Sequence, residues 1–254
     1  MKIVSWNVNS LNIRLPHVLA YLAEHQPDVL ALQETKLPDE KFPRSAIEEA
    51  GYQVVYSGQK TYNGVAVISR QSASDVVMDV PGLDDPQRRL LACTIDGVRI
   101  VDVYIPNGQE VGSEKYAYKF QWLTAFREFL KDELTKHEQL ALLGDFNIAP
   151  ADIDVHDPKR WREKIMCSTA ERTMFASFLE LGLFDRAREL HPEDPMHSWW
   201  DYRLNAFDRN WGIRIDHVLT TAALSVSAAG VHAAERGKER PSDHAPVWIE
   251  ASAV

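Results

Sequence analysis

Cysteine is nearly absent: Cys93 and Cys167 are the only two in 254 residues. So few exclude a disulfide framework and point to a reducing cytoplasm. No apolar run approaches membrane-spanning length, so no membrane partner is expected. The start, Met1-Lys2-Ile3-Val4-Ser5-Trp6, passes directly into a strand pattern without the apolar stretch of a secretory leader. There is no Walker A pattern, no GxSxG, no CxxC and no HExxH, which removes the usual NTPase, serine hydrolase, zinc-finger and zincin readings. Repeats, low-complexity tracts and Gly/Ser linkers are also missing, which favours one domain over 1–254. So is an excess of positive charge. The net charge of -9 argues against holding a polyanion through the overall field. Local basic clusters remain at Arg88-Arg89, at Lys159-Arg160 with Arg162 and Lys164, and at Arg236, Lys238 and Arg240. Each reads first as solvated surface. No sticky stripe is visible, so a monomer is expected.

What is present suits an enzyme-sized core: 45% of residues are hydrophobic and 26% charged. Short runs of Val, Ile, Leu and Tyr bounded by Gly, Pro or Asp predict strands over 2–8, 28–34, 53–57, 64–70, 89–95, 98–105, 139–144, 197–201, 213–220 and 244–250. Leu15, Val18, Leu19 and Leu22 form one stripe at helical spacing over 15–25. Pro43 opens a short helix that Gly51 closes. Phe120, Leu123, Phe126, Leu130 and Leu134 share one face over 116–136. Ser168-Thr169-Ala170-Glu171 is a capping box before a helix that ends near Gly182. Many strands with several helices, and no strict βαβ alternation, predict an α/β fold of two packed sheets with helices outside. Longer loops near 106–116, 149–168 and 201–212 would frame the active edge.

The chemistry lies at the strand ends. Apolar runs end in Asn7, in Gln33-Glu34, in Gly144-Asp145-Phe146-Asn147, in Asp216-His217 and in Asp243-His244. A chain that needed only a core would not keep placing Asn, Glu, Asp and His just after buried β residues. If these strands lie side by side, the side chains meet at one sheet edge. That pocket suits a hard divalent cation and phosphate chemistry. Glu34 either binds the cation or pairs with Lys36. Asn7 is a ligand or a strand-stopping turn residue. Asp145 and Asn147 share a side by period two and offer a base and an amide donor, or else an Asx turn. A carboxylate at Asp216 would orient His244 and favour its charged form. His217 reads mainly as an ordinary polar residue near a sheet edge. Tyr104 can hydrogen-bond a phosphate. Trp199, Trp200, Trp211 and Tyr202 crowd one segment, and at least half of them are expected in the core.

The ordered set Trp6-Asn7-Val8-Asn9, Leu32-Gln33-Glu34-Thr35-Lys36, Tyr62-Asn63-Gly64, Tyr104-Ile105-Pro106-Asn107-Gly108, Gly144-Asp145-Phe146-Asn147, Trp199-Trp200-Asp201-Tyr202-Arg203, Gly212-Ile213-Arg214-Ile215-Asp216 and Ser242-Asp243-His244-Ala245-Pro246 resembles the signature of the exonuclease III family. The likeness runs essentially from the first strand to the last. It implies a four-layer α/β sandwich of the deoxyribonuclease I-like (endonuclease/exonuclease/phosphatase) type. It also implies a magnesium- or manganese-dependent phosphodiesterase of base-excision repair. Its partner would be double-stranded DNA with abasic, nicked or 3′-blocked sites. The implied activities are 3′→5′ exonuclease, release of blocked 3′ ends including 3′-phosphates, and incision at abasic sites. On this resemblance Glu34 is the main metal ligand. Asn7 and Asp243 lie close by, and Asp145, Asn147 and His244 stand around the ion. Asp145 activates water, Asn147 positions it, and His244, oriented by Asp216, meets the phosphate. The base is left as Asp145 or His244. Tyr104 contacts phosphate or assists the leaving group. Lys36, Tyr62 and Asn107 hold substrate, and Trp199, Ile213 and Ile215 shape a pocket for a flipped, base-less sugar.

One loop departs from expectation: Lys164-Ile165-Met166-Cys167-Ser168 places a bulky apolar Met166 near the DNA. Either Met166 narrows the path of a continuing strand, favouring 3′-end processing over internal abasic incision, or it packs on its own loop. Two competing functions are carried forward. One is a phosphoesterase of the same fold acting on phosphoinositides or sphingomyelin, which would spare DNA. The other is a non-catalytic nucleic-acid-binding regulator, which would be expected to have lost acids or the histidine.

Overall fold

A computed structural model describes residues 1–254. The first part runs β1 (Lys2–Asn7), α1 (Leu11–His25), β2 (Val29–Gln33), α2 (Arg44–Glu49), β3 (Gln53–Ser57), β4 (Val65–Ser69), β5 (Ser74–Met78), β6 (Leu90–Ile95) and β7 (Val98–Tyr104). It continues through α3 (Glu114–Lys136), β8 (Leu140–Asp145), α4 (Pro158–Trp161), α5 (Thr169–Leu179), β9 (Leu183–Phe184) and α6 (Arg186–Leu190). The last part is β10 (Trp199–Trp200), β11 (Gly212–Ile213), β12 (Asp216–Thr221), β13 (Leu224–Val231) and β14 (Val247–Ala253).

Two six-stranded mixed sheets result, ordered β13-β14-β1-β2-β4-β3 and β5-β6-β7-β8-β12-β9. Each is built around one parallel pair closed by a helix: β1 beside β2 through α1, and β7 beside β8 through α3. Period two sorts the side chains into layers. Ile3, Val29, Ala31, Val65 and Val67 face Leu91, Ile100, Ala141, Leu143 and Val218 between the sheets. The opposite faces pack on helices. Val4, Leu30 and Ile68 lie with Val18, Leu22 and Ile47. Val101, Val103 and Leu142 lie with Phe126, Leu130 and Phe178. The expected four-layer α/β sandwich is therefore the fold.

Local chemistry sets the element ends. Ser168 and Glu171 form the expected reciprocal capping box on α5. Ser113 accepts from the Tyr116 amide and starts α3. Gly144 stays within β8 and makes no turn. A Cβ there would lie 1.9 Å from the Val103 oxygen, at φ +146°. Its bare backbone lets β7 and β8 approach just before Asp145.

The structure corrects several expected elements. The first helix begins at Leu11 and runs through Pro16, where one main-chain bond is forgone. Edge strands β5 and β13 carry mostly exposed or half-buried residues, so no apolar run announced them. The expected strand over 197–201 shrinks to Trp199–Trp200. It pairs with Gly212–Ile213 as a two-stranded ribbon outside both sheets and makes a single bridge from Trp199 to His244. The expected strand over 213–220 divides into β11 and β12.

Candidate active site

The polar strand ends meet, but across two sheets and not along one sheet edge. Asn7 continues the inward row Ile3–Ser5 of β1, and Asp145 continues the inward row Ala141–Leu143 of β8. Tyr104 and Asp216 end β7 and β12 on the same inner face, each paired in register with Asp145. The site is thus the polar rim of the inter-sheet core. The Asn7 amide donates to Asp145 Oδ2 at 2.8 Å and to Glu34 Oε1 at 3.0 Å, bridging the sheets. Glu34 leaves β2 with φ 54°, which swings its carboxylate off the strand axis. Its other oxygen lies 2.9 Å from Lys36 Nζ, so the carboxylate also has the lysine partner that the sequence offered. Lys36 is held in turn by Asn9 Oδ1 at 2.6 Å.

Ligand atoms of Glu34, Asp145 and His244 lie within 4.8 Å of one another. The two carboxylates fit a hard divalent cation that keeps much of its water shell. His244 is engaged otherwise. Its Nδ1 donates to Asp216 Oδ2 at 2.9 Å, and its Nε2 stands 3.7 Å from Asp145 Oδ2. Burial disfavours its charge, but Asp216 and then Asp145 prevail and push the imidazole up to about 10. Burial, with Asp216 and Glu34 nearby, pushes the Asp145 carboxyl up to about 7 against the pull of His244. Ser198 Oγ donates to Asp216 Oδ2 at 2.6 Å and accepts the Ile215 and Asp216 amides, fixing that acid.

Asn147 completes an Asx turn, its amide on Asp145 Oδ1 at 2.9 Å and its φ at 49°. The Asx turn that the sequence offered as an alternative is therefore formed. Asn107 donates from its side chain to Asn147 Oδ1 at 2.9 Å, and Asn147 donates to the Ile105 oxygen. Burial, then Glu34 and Asp145, raise the Tyr104 phenol well above its ordinary range, so it stays a donor. Asp243 stands apart from the three-ligand cluster. Its oxygens accept from Asn9 and from the Trp199 indole, each at 3.0 Å.

Beside the acids lies an apolar cluster of Met166, Ile213, Ile215, Ala149, Val155 and Cys167, with Trp199 against it. Met166 is buried in it with φ 69°. The crowded aromatic segment is less buried than expected: Trp200 is core, Trp199 and Trp211 are half-buried and Tyr202 is exposed. Both cysteines are free and buried, in separate apolar clusters.

A cavity of about 460 Å³ adjoins the site, with Tyr62, Arg89, Tyr104, Asn107 and Lys115 in its wall. Tyr62 is exposed at the rim. Arg89, expected at the solvated surface, is buried. Its guanidinium lies 4.6 Å from the Tyr104 ring centre and donates to the Tyr104 main-chain carbonyl. Only its neighbour Arg88 hinted at it. Arg214, between two pocket isoleucines, turns the other way. It meets Asp154 and Asp185, each at 2.7 Å.

His217 takes the structural role. Its Nε2 donates to the Ile148 oxygen at 2.9 Å, between Phe146 and Phe175. Burial first, then Arg214, lowers it to about 4. The folded chain therefore holds a neutral imidazole that the unfolded chain, with its ordinary value near 6.5, protonates. Its stabilisation is complete above about pH 6.5 and is lost as pH falls toward 4, by roughly 3 kcal/mol. His217→Gln keeps the donor to Ile148. Urea unfolding at pH 7.5 and 5 should show a shallower acid loss for this variant than for wild type. Equal slopes would remove His217 as the cause.

Residues 4–244 match the Endonuclease/Exonuclease/phosphatase family. The chain is 35% identical to exodeoxyribonuclease III of Haemophilus influenzae, covering 98% of this chain and 99% of that one. It is similar at 51% identity and a TM-score of 0.98 to a solved 3′ phosphatase, NExo, from Neisseria bound to a product DNA hairpin, with 99% of each chain covered. A solved AP endonuclease from Archaeoglobus fulgidus gives 35% identity and a TM-score of 0.95, with 98% of each chain covered. Fold, ordered motifs and full-length relatives agree: the chain belongs to the exonuclease III family and is an exodeoxyribonuclease III-like DNA-repair phosphodiesterase/phosphatase.

Proposed function

We propose that residues 1–254 form one catalytic unit that works on 3′ ends of duplex DNA in the cytoplasm. It would act as a 3′→5′ exonuclease and as a 3′-phosphodiesterase and 3′-phosphatase, with abasic-site incision held back by Met166. The observation that carries this is the meeting of Glu34, Asp145 and His244 beside the buried apolar cluster to which Met166 belongs. The relatives named a 3′ phosphatase and a 3′-5′ exonuclease, both from Neisseria, support the 3′-end reading.

Glu34 and Asp145 would hold magnesium or manganese, with the Asn7 amide orienting both carboxylates, and the ion would supply positive charge to the phosphate oxygens. The remaining steps belong to side chains. Asp145 is the base: its carboxylate is fixed by the Asn147 and Asn7 amides and accepts the proton of the attacking water. His244 is a poor base. It lies between two carboxylates, donates to one through Nδ1, and presents its Nε2–H to the phosphate as charge builds there. Asn147 places the water. Tyr104 donates to the departing oxygen or to a phosphate oxygen. Lys36, Tyr62 and Asn107, together with Arg89 and Lys115 in the adjoining cavity, would hold the backbone. Trp199, Ile213 and Ile215 would receive the terminal sugar, and Asp243 would keep the Trp199 ring in place through its indole bond.

Two labelled duplexes test this, one with an internal abasic site and one with a nick bearing a 3′-phosphate. Wild type should release the 3′-phosphate in magnesium, stop in EDTA, and cut the abasic strand at least about 100-fold more slowly. Met166→Gly opens the pocket and should raise abasic incision about ten-fold or more while 3′-phosphate release holds. No gain in incision would remove Met166 from the account. Cutting of neither duplex by wild type would overturn the function.

A further inference from the structure

Lys119 is fully buried on α3, and its three ammonium hydrogens are all spoken for. Nζ donates to the Asn107 oxygen at 3.2 Å, the Asn147 oxygen at 2.8 Å and Glu171 Oε1 at 2.5 Å. Glu171 is equally buried and divides its acceptors in turn. Oε1 takes the Met166 amide at 3.1 Å, and Oε2 takes the Ser168 amide and hydroxyl at 3.1 and 2.7 Å. The Met166 oxygen then accepts the Ala149 amide at 2.8 Å, closing a ring back to the segment after β8.

The three segments joined here all leave the regular elements. Asn107 follows β7, Asn147 follows β8, and Met166 precedes α5. Asn147 and Met166 both hold positive φ, a conformation that relaxes unless neighbours impose it. A buried ion pair is a poor way to gain stability, because apolar side chains of the same volume usually do as well. What an apolar pair cannot do is aim several hydrogen bonds at main-chain atoms of separate loops.

We infer that Lys119 and Glu171 are positioning residues that lock the catalytic Asn147 turn and the Met166 loop into one unit, so that rate and 3′-end preference are set together. This rests on the function proposed above. With the pair in place, Asn147 cannot shift to suit a continuing strand unless Met166 shifts with it. Loosening the pair should therefore lower kcat more than it raises KM, and it should change the balance between substrates. A pair that served the fold alone would lower activity only in step with the folded fraction.

Lys119→Met by itself leaves Glu171 buried without its cation, so Lys119→Met/Glu171→Gln is the variant of choice. It should melt cooperatively and bind a fluorescent 3′-phosphate hairpin in EDTA within about three-fold of wild type. Its kcat for 3′-phosphate release should fall about thirty-fold with KM within about three-fold. The ratio of abasic incision to 3′-phosphate release should rise about ten-fold. A folded variant with kcat within about three-fold of wild type, or with an unchanged ratio, overturns the inference. Hydrogen exchange on Glu171→Gln is the second arm, and it decides if the double variant does not fold. The Met166 and Ala149 amides should exchange about ten-fold faster while those of β8 hold, and unchanged exchange overturns the inference. Inactivity of wild type on both duplexes would remove the proposed function, and the exchange arm would still judge the clamp.

Discussion

Asp145→Asn is expected to lower kcat for 3′-phosphate release by about 10³-fold at neutral pH, with DNA affinity in EDTA unchanged or tighter. The substitution is isosteric, so the sheets should stay in place. Three groups around the carboxylate are donors: the Asn147 amide, the Asn7 side chain and the His244 Nε2 face. An amide at 145 can accept on one side only, serving either the Asn147 amide or the Asn7 and His244 pair, and turns an N–H toward the other side. It also cannot accept a proton from water. Loss of negative charge at the phosphate site removes a repulsion, which is why binding should not suffer. Single-turnover rates with enzyme in excess isolate the chemical step. A fall of less than about ten-fold would reject Asp145 as the base.

Glu34→Gln is expected to cost a similar factor, about 10³-fold, and to raise the metal concentration needed for half-maximal rate. Glu34 is the one acid of the cluster that reaches the centre from the first sheet; Asp145, like the Asp216 that orients His244, comes from the second. Its neutral isostere can still accept from Asn7 but no longer balances Lys36, 2.9 Å away. The freed ammonium would then add a positive charge beside the vacated oxygen and disfavour a cation further. Titrating magnesium and manganese against 3′-phosphate release, with hairpin binding measured alongside in EDTA, separates the two effects. Wild-type turnover at ordinary magnesium would overturn the metal assignment.

How much of this was legible beforehand differs residue by residue. Ser168 and Glu171 announced their capping box because capping is local, set by side chains three residues apart. Asn7, Glu34, Asp145, Asp216 and His244 were visible as polar ends of apolar runs. Edge strands Ser74–Met78 and Leu224–Val231 were not, since an edge needs no apolar run to hold it. Lys119 lies on an amphipathic helix, where a lysine is ordinarily solvated. Nothing nearby in sequence reveals that Asn107, Asn147 and Glu171 surround it. Arg214 was hidden for the same reason, its partners Asp154 and Asp185 being distant in the chain, and so was the contact of Arg89 with Tyr104.

By itself, then, the sequence determined the layer count, the family and the identity of the acids, because periodicity and ordered motifs are one-dimensional properties. The tertiary structure alone decided which acids touch. Asn7 and Glu34 come from one sheet and Asp145 and Asp216 from the other, and only the packing of Ile3, Ala31, Ile100 and Leu143 between them brings the two rims together. It also decided what each group is free to do. Asp243 is occupied by Asn9 and Trp199, His244 is held by Asp216, and the Met166 backbone is tied through Glu171 and Lys119 to Asn147. The physical reason is that hydrogen bonds and charge pairs act over a few ångströms of space, whatever the separation along the chain.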